Sequence, residues 1–371
     1  MTTTSSYKVR VFTSAGLLRA EFDDFIALQY RNQVNTPALS VINTNAESGY
    51  AQYLVKNNRI EIWRKIVKDG AIALPWTRDY EGKIRRSITS YKENSYRLQI
   101  TCIGKLETLS RRIVAWYAAT ANRSRFTNLN GETIMKGMVE YNAGPGALAS
   151  NGRIRDGAIT NLTVEPDSMR GAAGLHWSCA WDNLLKSLQD LSKVAGGDFD
   201  VVSSGTDALD FKFFPGQLGT DRTEKVVFSV DRGNMINPVL TEDALGEETV
   251  AVVAGKGEEA DRRTRVVIGV GYSSDNDIEG FTDAKNEEDT NDALDVKGAA
   301  DLKKSEALNQ LTFDIVQTDG SRYGIHYFLG DRVKAVFLDH TDMLKIYAAE
   351  ITVDRNNAEN PERIVIEVSN V

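Results

Sequence analysis

Apolar and polar residues alternate with a period of two through much of the first 112 positions, which indicates β-strands. In the segment that ends at Ile103, Leu98, Ile100 and Cys102 fall on one face of the strand and polar residues on the other. The predicted strands are Tyr7–Phe12, Phe25–Tyr30, Ala38–Ile42, Arg59–Ile66, Lys83–Ser90 and Tyr96–Ile103. Such short strands favour a small barrel or sandwich, and we assign residues 1–112 to an N-terminal β-barrel domain.

Helical spacing replaces this alternation between residues 113 and 236, which we assign to the middle α+β region. Asn130 can cap one helix, and a second is predicted over Ser178–Val194. The apolar stripe of the first is Ile134, Met135, Met138 and Val139, and that of the second is Trp181, Leu184, Leu185, Leu188 and Leu191. Asp198–Val202 and Asp210–Phe214 then form a predicted hairpin.

A connector rich in turn residues, Gly216–Pro238, leads into the last part of the chain. It contains a short predicted strand, Lys225–Val230, between two polar turns. Further strands are predicted at Glu248–Ala254, Arg263–Gly269, Leu311–Val316, Asp331–Leu338, Lys345–Asp354 and Arg363–Val368, with a helix at Ala299–Gln310. We assign residues 237–371 to a C-terminal β-barrel-like domain with a partly ordered acidic insertion at 275–295. The predicted fold class is therefore mainly β with an α+β middle region.

Two parts of the sequence share one pattern, which suggests an internal duplication. In each, a polar turn precedes an alternating strand that begins at Arg59 or Arg332. A longer strand then runs through Ile84–Ile88 or Ile346–Ile351, and a final alternating strand follows. Two unrelated β-meanders would give the same pattern, so that alternative stays open. Two similar barrels per chain in a three-fold ring would offer six similar faces to a six-fold neighbour.

Composition and charge narrow the possible functions. The chain has 371 residues, 42% of them apolar, and a net charge of −8, which argues against a broad basic surface for nucleic acid. Cys102 and Cys179 belong to no CxxC pair, and we expect both to be buried. The N-terminus lacks a signal-peptide core and no apolar run could span a bilayer, so we expect synthesis in the cytosol and no membrane-spanning segment.

No catalytic or metal-binding signature is found, so we predict no catalytic residue, no cofactor and no metal site. His176, His326 and His340 belong to no HExxH motif, and GxSxG is absent. The acidic stretch contains Asp275, Asp277, Glu279, Asp283, Glu287, Glu288 and Asp289. A run of acids in a loop fixes neither the spacing nor the burial of a glycosidase pair, and it lacks the glycine and glutamate of a calcium loop.

Some charged and aromatic groups are weaker candidates for contacts. Thr220–Lys225 and Asp261–Arg263 could pair charges at subunit contacts, although exposed pairs contribute little. A basic patch consists of Arg111, Arg112, Arg123 and Arg125, with the aromatics Trp116 and Tyr117 beside it. So few stacking aromatics make nucleic-acid binding a poor interpretation, and we expect salt bridges between domains instead.

Most of the chain from Leu109 onward resembles the baseplate hub, or tail-associated, proteins of long-tailed bacteriophages (siphophages). The connector Gly216–Pro238 belongs to the same pattern. The other matching segments are LSRRIVAWYAATANRS (Leu109–Ser124), ETIMKGMVEYNAG (Glu132–Gly144), GRIRDGAITNLTVEPD (Gly152–Asp167), WDNLLKSLQDLSKVAGGDFDVV (Trp181–Val202), VAVVAGKGEEADRR (Val250–Arg263) and HYFLGDRVKAVF (His326–Phe337). Their order and spacing carry the resemblance.

The resemblance implies a non-enzymatic structural hub with two tube-like β-barrel domains flanking helix-containing middle domains. Such a hub forms a homotrimeric ring in the virion, at the tail tip or baseplate. It joins the hexameric ring of the distal tail protein to the tail fibre or tip proteins. Its lumen surrounds the tape-measure protein and lets DNA pass without sequence-specific binding during ejection. Because this chain stops at Val371, without a long C-terminal extension, we expect any tip or lytic activity to come from another protein.

Two other functions remain as alternatives. One is a tail-associated enzyme that degrades the cell wall. The other is a carbohydrate-binding β-module, which exposed aromatic residues such as Trp63, Trp76 and Trp116 would serve.

Overall fold

The alternation of the first strand is preserved in the computed structural model. In Thr3–Phe12 (β1) the side chains of Tyr7, Val9 and Val11 are buried, while those between them are partly exposed. The structure describes residues 3–92, 94–116, 123–205, 207–285, 287, 290–357 and 362–370. Two compact units result, one formed by Met1–Ile236 together with Asp314–Val371 and the other by Asn237–Phe313. The sequence pattern instead divides the chain after residues 112 and 236.

Strands are the main regular element of both units. After β1 they are β2 Leu18–Phe22, β3 Ala27–Gln33, β4 Thr36–Asn45, β5 Arg59–Lys68, β6 Ala71–Lys92, β7 Ser95–Gly104, β8 Ser124–Leu129, β9 Leu162–Val164, β10 Leu175–Cys179, β11 Gly197–Ser203, β12 Leu209–Pro215, β13 Val227–Ser229, β14 Met235–Asp243, β15 Val250–Ala254, β16 Thr264–Ile268, β17 Glu279–Asp283, β18 Leu308–Ile315, β19 Arg332–Phe337, β20 His340–Asp354 and β21 Glu362–Asn370. The α-helices are α1 Glu107–Ser110, α2 Gly131–Asn142, α3 Leu184–Ser192 and α4 Asn291–Leu302, and short 3-10 helices lie at Ala51–Tyr53, Ala149–Asn151 and Glu259–Asp261. In the part of the chain that the structure describes, no helix combines the length and apolarity needed to cross a membrane.

Eleven strands of the larger unit form one sheet, which we call the main sheet. Its order is β13–β19–β20–β3–β4–β7–β6–β5–β1–β2, and β21 also pairs with β20. The two ends of the chain meet where β20 runs antiparallel to β3 and Ile351 pairs with Tyr30. The described strands form no closed barrel, so the predicted pair of barrel domains is not confirmed. A period of two identifies a strand but not its partner, which explains why the sequence pattern separates the two ends.

Both parts of the predicted repeat are three-stranded antiparallel meanders, β5–β6–β7 and β19–β20–β21. Their first strands begin at Arg59 and Arg332, as predicted. In each, the register shifts just after an isoleucine of the long central strand, Ile84 in β6 and Ile346 in β20. The shared topology and the shared irregularity support the duplication, which stays a hypothesis.

The helices of the middle region form around the predicted apolar stripes. In α2 the stripe of Ile134, Met135, Met138 and Val139 is buried, as predicted. The second helix is shorter than predicted, because Asn183 caps it and the chain before Cys179 forms β10. Trp181 precedes this helix with a positive φ of 65° and is 49% exposed, so its assignment to the buried stripe is wrong. The predicted hairpin is confirmed as β11 and β12.

The connector Gly216–Pro238 is bonded to the chain that leads into β19. Thr220 N donates to Asp331 Oδ1 at 2.7 Å, and β13 pairs in parallel with β19. Gly219 is required here, because a Cβ on it would lie 2.3 Å from the backbone nitrogen of Asp331. The predicted strand of the connector is confirmed, but it is limited to β13.

The smaller unit contains a three-stranded sheet, β16–β15–β17, and a two-stranded ribbon, β14–β18. Helix α4 covers one face of the sheet, and it begins where Thr290 accepts a hydrogen bond from Ala293 N at 3.2 Å. The predicted helix at Ala299–Gln310 is therefore wrong in position, and its second half overlaps β18. The acidic stretch contains β17 and the start of α4. Glu288 and Asp289 lie outside the described residues.

A fully buried arginine on β5 links strands from both ends of the chain. The guanidinium of Arg64 lies 3.0 Å from Glu362 Oε1 on β21 and 3.9 Å from Asp79 Oδ2 on β6. Tyr30 on β3 donates to Asp79 Oδ2 at 2.7 Å, and Tyr7 on β1 donates to Glu362. We call these five residues the Arg64 network. Losing the cation would leave two poorly solvated carboxylates without a counter-charge, which is the costly case for buried ions.

Replacing Arg64 by methionine should lower the free energy of unfolding by about 3 kcal/mol, because it strands these carboxylates. Denaturant titration would measure the loss. Lys65→Met, at the next and partly exposed position, should change stability by less than about 1 kcal/mol. Adding Asp79→Asn and Glu362→Gln to Arg64→Met should recover part of the stability. Equal losses in the two single variants would contradict the role given to the network.

Candidate functional site

A polar cleft of about 350 Å³ opens in the larger unit beside the main sheet. Strand β6 contributes Asp79 and Glu81 to its wall, and β11 contributes Asp200. Lys105, just after β7, and Tyr323 extend the polar lining. Several carboxyl groups that converge on a cleft are the pattern expected of an acid–base site, so the partners of each one decide what the cleft can do.

Glu81 is buried and surrounded by donors. Its carboxylate accepts from the hydroxyl of Ser203 at 2.8 and 2.9 Å and forms ion pairs with Arg59 at 3.2 Å, Arg78 at 3.0 Å and Lys105 at 3.3 Å. Burial raises the pKa of Glu81, but Lys105, Arg78 and Ser203 outweigh it and the net shift is downward. A carboxylate stabilised in this way is a weak base, and its oxygens are already occupied by donors.

The other two carboxyl groups of the cleft, those of Asp79 and Asp200, have raised pKa values. Burial raises the pKa of Asp79, and Arg64 and Tyr30 offset only part of the rise. Burial raises the pKa of Asp200 to about 6, against the opposing effects of Lys105 and of the backbone N–H of Val201. Asp200 can therefore gain and lose a proton near pH 6.

Hydrolysis of a glycosidic bond needs one protonated carboxyl and a second carboxylate free to act as base or nucleophile. Asp200 meets the first requirement. Glu81 is engaged by four side chains, and Asp79 accepts from Tyr30 and lies near Arg64. These contacts fit a structural role better, because the bond between Glu81 and Ser203 ties β6 of the main sheet to β11 of the middle region.

A second buried carboxylate, that of Asp198, also joins the main sheet to the middle region. Asp198 on β11 accepts from Lys345 Nζ at 3.0 Å, from Asn35 Nδ2 at 3.0 Å and from Leu218 N at 2.8 Å. Asn35 also accepts from the backbone N–H of Phe199 at 2.8 Å. The turn between β3 and β4 and the middle strand of the second meander are thus both fixed to β11.

The structure places the three histidines apart from the cleft lining. His176 lies on β10, and His340 lies 2.9 Å from Asp342 at the start of β20. His326 Nδ1 accepts from Arg322 N at 3.0 Å, and burial lowers the pKa of this imidazole. None of the three contacts a second histidine in the contacts found among the described residues, so their predicted packing and surface roles remain the simplest interpretation.

The acidic stretch does not come together as a metal centre among the described residues. No group of three or more described His, Cys, Asp or Glu side chains is placed to hold a metal ion. Two of its described acids are paired with bases, and one of them is Asp283, which contacts Arg262 at 3.1 Å. Asp295, at the end of the stretch, pairs with Arg265 at 2.7 Å.

The charged segments proposed for subunit contacts are engaged inside the chain. Arg222 of Thr220–Lys225 pairs with the buried Asp331. Arg262 and Arg263 of Asp261–Arg263 bond to Asp283 and to Asn291 within the smaller unit.

The basic patch is also held locally. Arg111 pairs with Glu107, Arg112 donates to the carbonyl of Gly157, and Arg123 donates to Ser178. The ion pair lies within residues 1–112, and the other two contacts are hydrogen bonds, so these three contacts do not include the predicted salt bridges between domains. Tyr117 lies outside the described residues.

Each of the three tryptophans suggested for sugar binding has a neighbouring side chain against its ring. Trp116 stacks on Tyr141 with ring centroids 4.2 Å apart. Arg10 lies over the ring of Trp63 at 4.6 Å, and Lys8 lies over that of Trp76 at 4.7 Å. Trp63 and Trp116 are half-buried, whereas Trp76 remains 39% exposed.

Sequence reasoning missed the Arg64 network and the cleft. Their residues come from strands far apart in the chain, and Arg64 and Glu362 are separated by 298 positions. One signal was present: Arg64 shares the strand face of Ile60 and Ile62, and a charge on an apolar face requires a buried partner. The sequence does not say which carboxylate supplies it.

Comparison with known proteins identifies relatives of the whole chain. A protein-family model described as Siphovirus ReqiPepy6 Gp37-like protein matches residues 8–362. No curated protein matches the sequence. The 43 kDa tail protein of prophage MuSo2 from Shewanella oneidensis is structurally similar, with a TM-score of 0.57 and 11% identity over 98% of each chain.

Two further solved structures share the fold. Prophage tail protein gp18 from Listeria monocytogenes aligns with a TM-score of 0.54 and 11% identity, over 97% of this chain and 94% of that one. A chain of the half-lidded PdpA–VgrG complex from Francisella aligns with a TM-score of 0.54 and 9% identity, over 99% of this chain and 58% of that one. Identities this low establish a common fold alone.

Asp200→Asn should raise stability at pH 7.5 by about 2 kcal/mol and leave it nearly unchanged at pH 4. Because folding raises the pKa of Asp200 from 3.8 to about 6, its favourable contribution is present below pH 3.8 and is lost as the pH rises through 6. The amide can still accept from Val201 N. Thermal unfolding from pH 4 to 8 would test this, and an equal effect at both ends would contradict it.

Proposed function

The chain belongs to the Siphovirus ReqiPepy6 Gp37-like protein family, and from this premise we propose that it is the structural hub of a phage tail. Three copies form a ring at the tail tip or baseplate of the virion. The ring joins the hexameric ring of the distal tail protein to the tip or fibre proteins. Its lumen surrounds the tape-measure protein and is the path for DNA during ejection.

The observation that carries this proposal is the pair of matching meanders in one sheet. β5–β6–β7 and β19–β20–β21 give each chain two similar β-modules, one from each end. A closed ring of three such chains offers six similar modules to its neighbour. This resolves the mismatch between a three-fold hub and a six-fold tube with a single kind of subunit.

The fold shared with solved tail proteins gives further support. The alignments with the Shewanella and Listeria proteins extend over nearly the full length of all three chains. A whole-chain match is what a common scaffold produces, whereas a match limited to one module would leave the assembly role open.

We propose that the protein is not an enzyme. The carboxylate of Glu81 serves to fasten β6 to β11, since it accepts from Ser203 and is paired with Arg59, Arg78 and Lys105. A wall-degrading enzyme is the second candidate, and one observation favours it: Asp200, with a pKa near 6, lies in the same cleft as Glu81.

The purified chain should be trimeric, or become trimeric when mixed with its distal tail protein. Size exclusion with light scattering would give the mass of each species. A chain that remains monomeric and does not bind the distal tail ring would contradict the hub.

The chain should give no clearing in a zymogram of host cell wall between pH 5 and 8. Asp200 exchanges its proton within this interval, so an Asp200-dependent hydrolase would be active there. Clearing that disappears in Asp200→Asn would establish the second candidate instead, while clearing that persists in this variant would point to a contaminant or to another site.

A further inference from the structure

The main sheet has an open strand edge on β6. β6 pairs with β5 as far as Lys83 and with β7 from Gly82 onward, so β5 and β7 lie on opposite sides of it. Beyond Ile84, no strand among the described residues pairs with the side of β6 that faces away from β7. The residues from Arg86 to Tyr91 are all exposed. Such an edge presents backbone N–H and C=O groups to a further strand.

The equivalent edge of the second meander is occupied. β19 and β21 both pair with Leu344 and Lys345, so they lie on opposite sides of β20. β3 pairs with Ala348–Asp354 on the side of β19, because β21 occupies the other. Since Ile84 and Ile346 are followed by the same register shift, Arg86 corresponds to Ala348. The position that β3 takes on β20 is therefore the one left open on β6.

Under the duplication hypothesis, β14 is the counterpart of β3 in the second repeat. The segments after β4 and β18 are similar, with two tyrosines in YAQYL before Arg59 and two in YGIHYF before Arg332. β18 thus corresponds to β4, and β14 pairs with β18 as β3 pairs with β4. A tight turn at Asn35 joins the first pair, whereas residues 244–307 join the second.

We infer that the open edge of β6 binds strand β14 of a neighbouring copy of this chain. The inference rests on the proposed function, because it names the surfaces that close the ring. An antiparallel arrangement, like that of β3 on β20, places Glu242 and Asp243 of one copy beside the exposed Arg86 of the next. Opposite charges on paired strands favour the correct partner and register. Repeated head to tail, the contact closes a ring.

The chemistry of β14 fits this role. The segment Val239–Asp243 follows Pro238, so it retains every backbone N–H that a ladder requires. The side chains of Val239, Thr241 and Asp243 are exposed and lie on one face of the strand. They would continue the face of Arg86, Ile88 and Ser90 in the neighbouring copy.

Cross-linking between two differently substituted chains tests the contact directly. One chain carries Ile88→Cys with a tag and the other carries Thr241→Cys, and both are treated with a short bismaleimide after mixing and reassembly. The native thiols of Cys102 and Cys179 are buried and should not react. A covalent dimer that contains one of each chain is expected. Pairing Ile88→Cys with Val270→Cys, a fully exposed position elsewhere in the smaller unit, should give none.

The outcomes separate the inference from the proposed function. A trimer that yields no mixed dimer overturns the β6–β14 contact and leaves the hub intact. A chain that stays monomeric in all conditions overturns both. A link that forms only within a chain carrying both cysteines would show that β14 serves its own β6, which also overturns the inference.

Charge reversal gives an independent readout. Arg86→Glu should weaken trimer formation about tenfold or more, since like charges across an interface are costly, and Glu242→Lys in the same chain should restore part of it. Arg19→Glu, an exposed charge on β2, is the matched control and should leave association unchanged. Equal effects of Arg86→Glu and Arg19→Glu would contradict the inference.

Discussion

The larger unit depends on one buried cation. Arg64 has no contact with solvent, and the carboxylates that balance its charge come from β6 and from β21, at opposite ends of the chain. A charge in this position is stable only when all of its partners are in place, so the strands of both ends must assemble around it together.

Local pattern identified many of the elements but not how distant strands pair. The strand starts at Arg59 and Arg332, the buried stripe of α2 and the hairpin of β11 and β12 follow from periodicity and turn residues. The register that sets Ile351 beside Tyr30 does not, because any two half-buried strands satisfy the same pattern. The prediction of two barrels is not confirmed, because it depends on which distant strands pair, and periodicity does not specify that.

The errors at helix ends have local causes. Trp181 has the helical spacing of a stripe residue, but the helix begins only after its cap, Asn183. The residues up to Cys179 form β10 instead. Thr290 likewise starts α4 earlier than the apolar count suggests. The cleft around Glu81 and Asp200 carries no sequence signature, since its acids and bases belong to strands that meet only in the folded chain. The raised pKa of Asp200 is therefore visible only from the structure.

The turn at Asn35 has an implication for how such proteins diversify. Its side chain is hydrogen-bonded to Asp198 and Phe199, and Gln189 donates to its carbonyl at 3.0 Å. A longer loop at this turn would disrupt these bonds between the main sheet and the middle region. Under the duplication hypothesis, the matching point of the second repeat lies between Asp243 and Leu308, and there the chain holds β15, β16, β17 and α4. Gene duplication followed by insertions at this point of the second repeat would let related proteins gain new segments there. The turn at Asn35 in the first repeat would stay short, because it holds the middle region against the sheet.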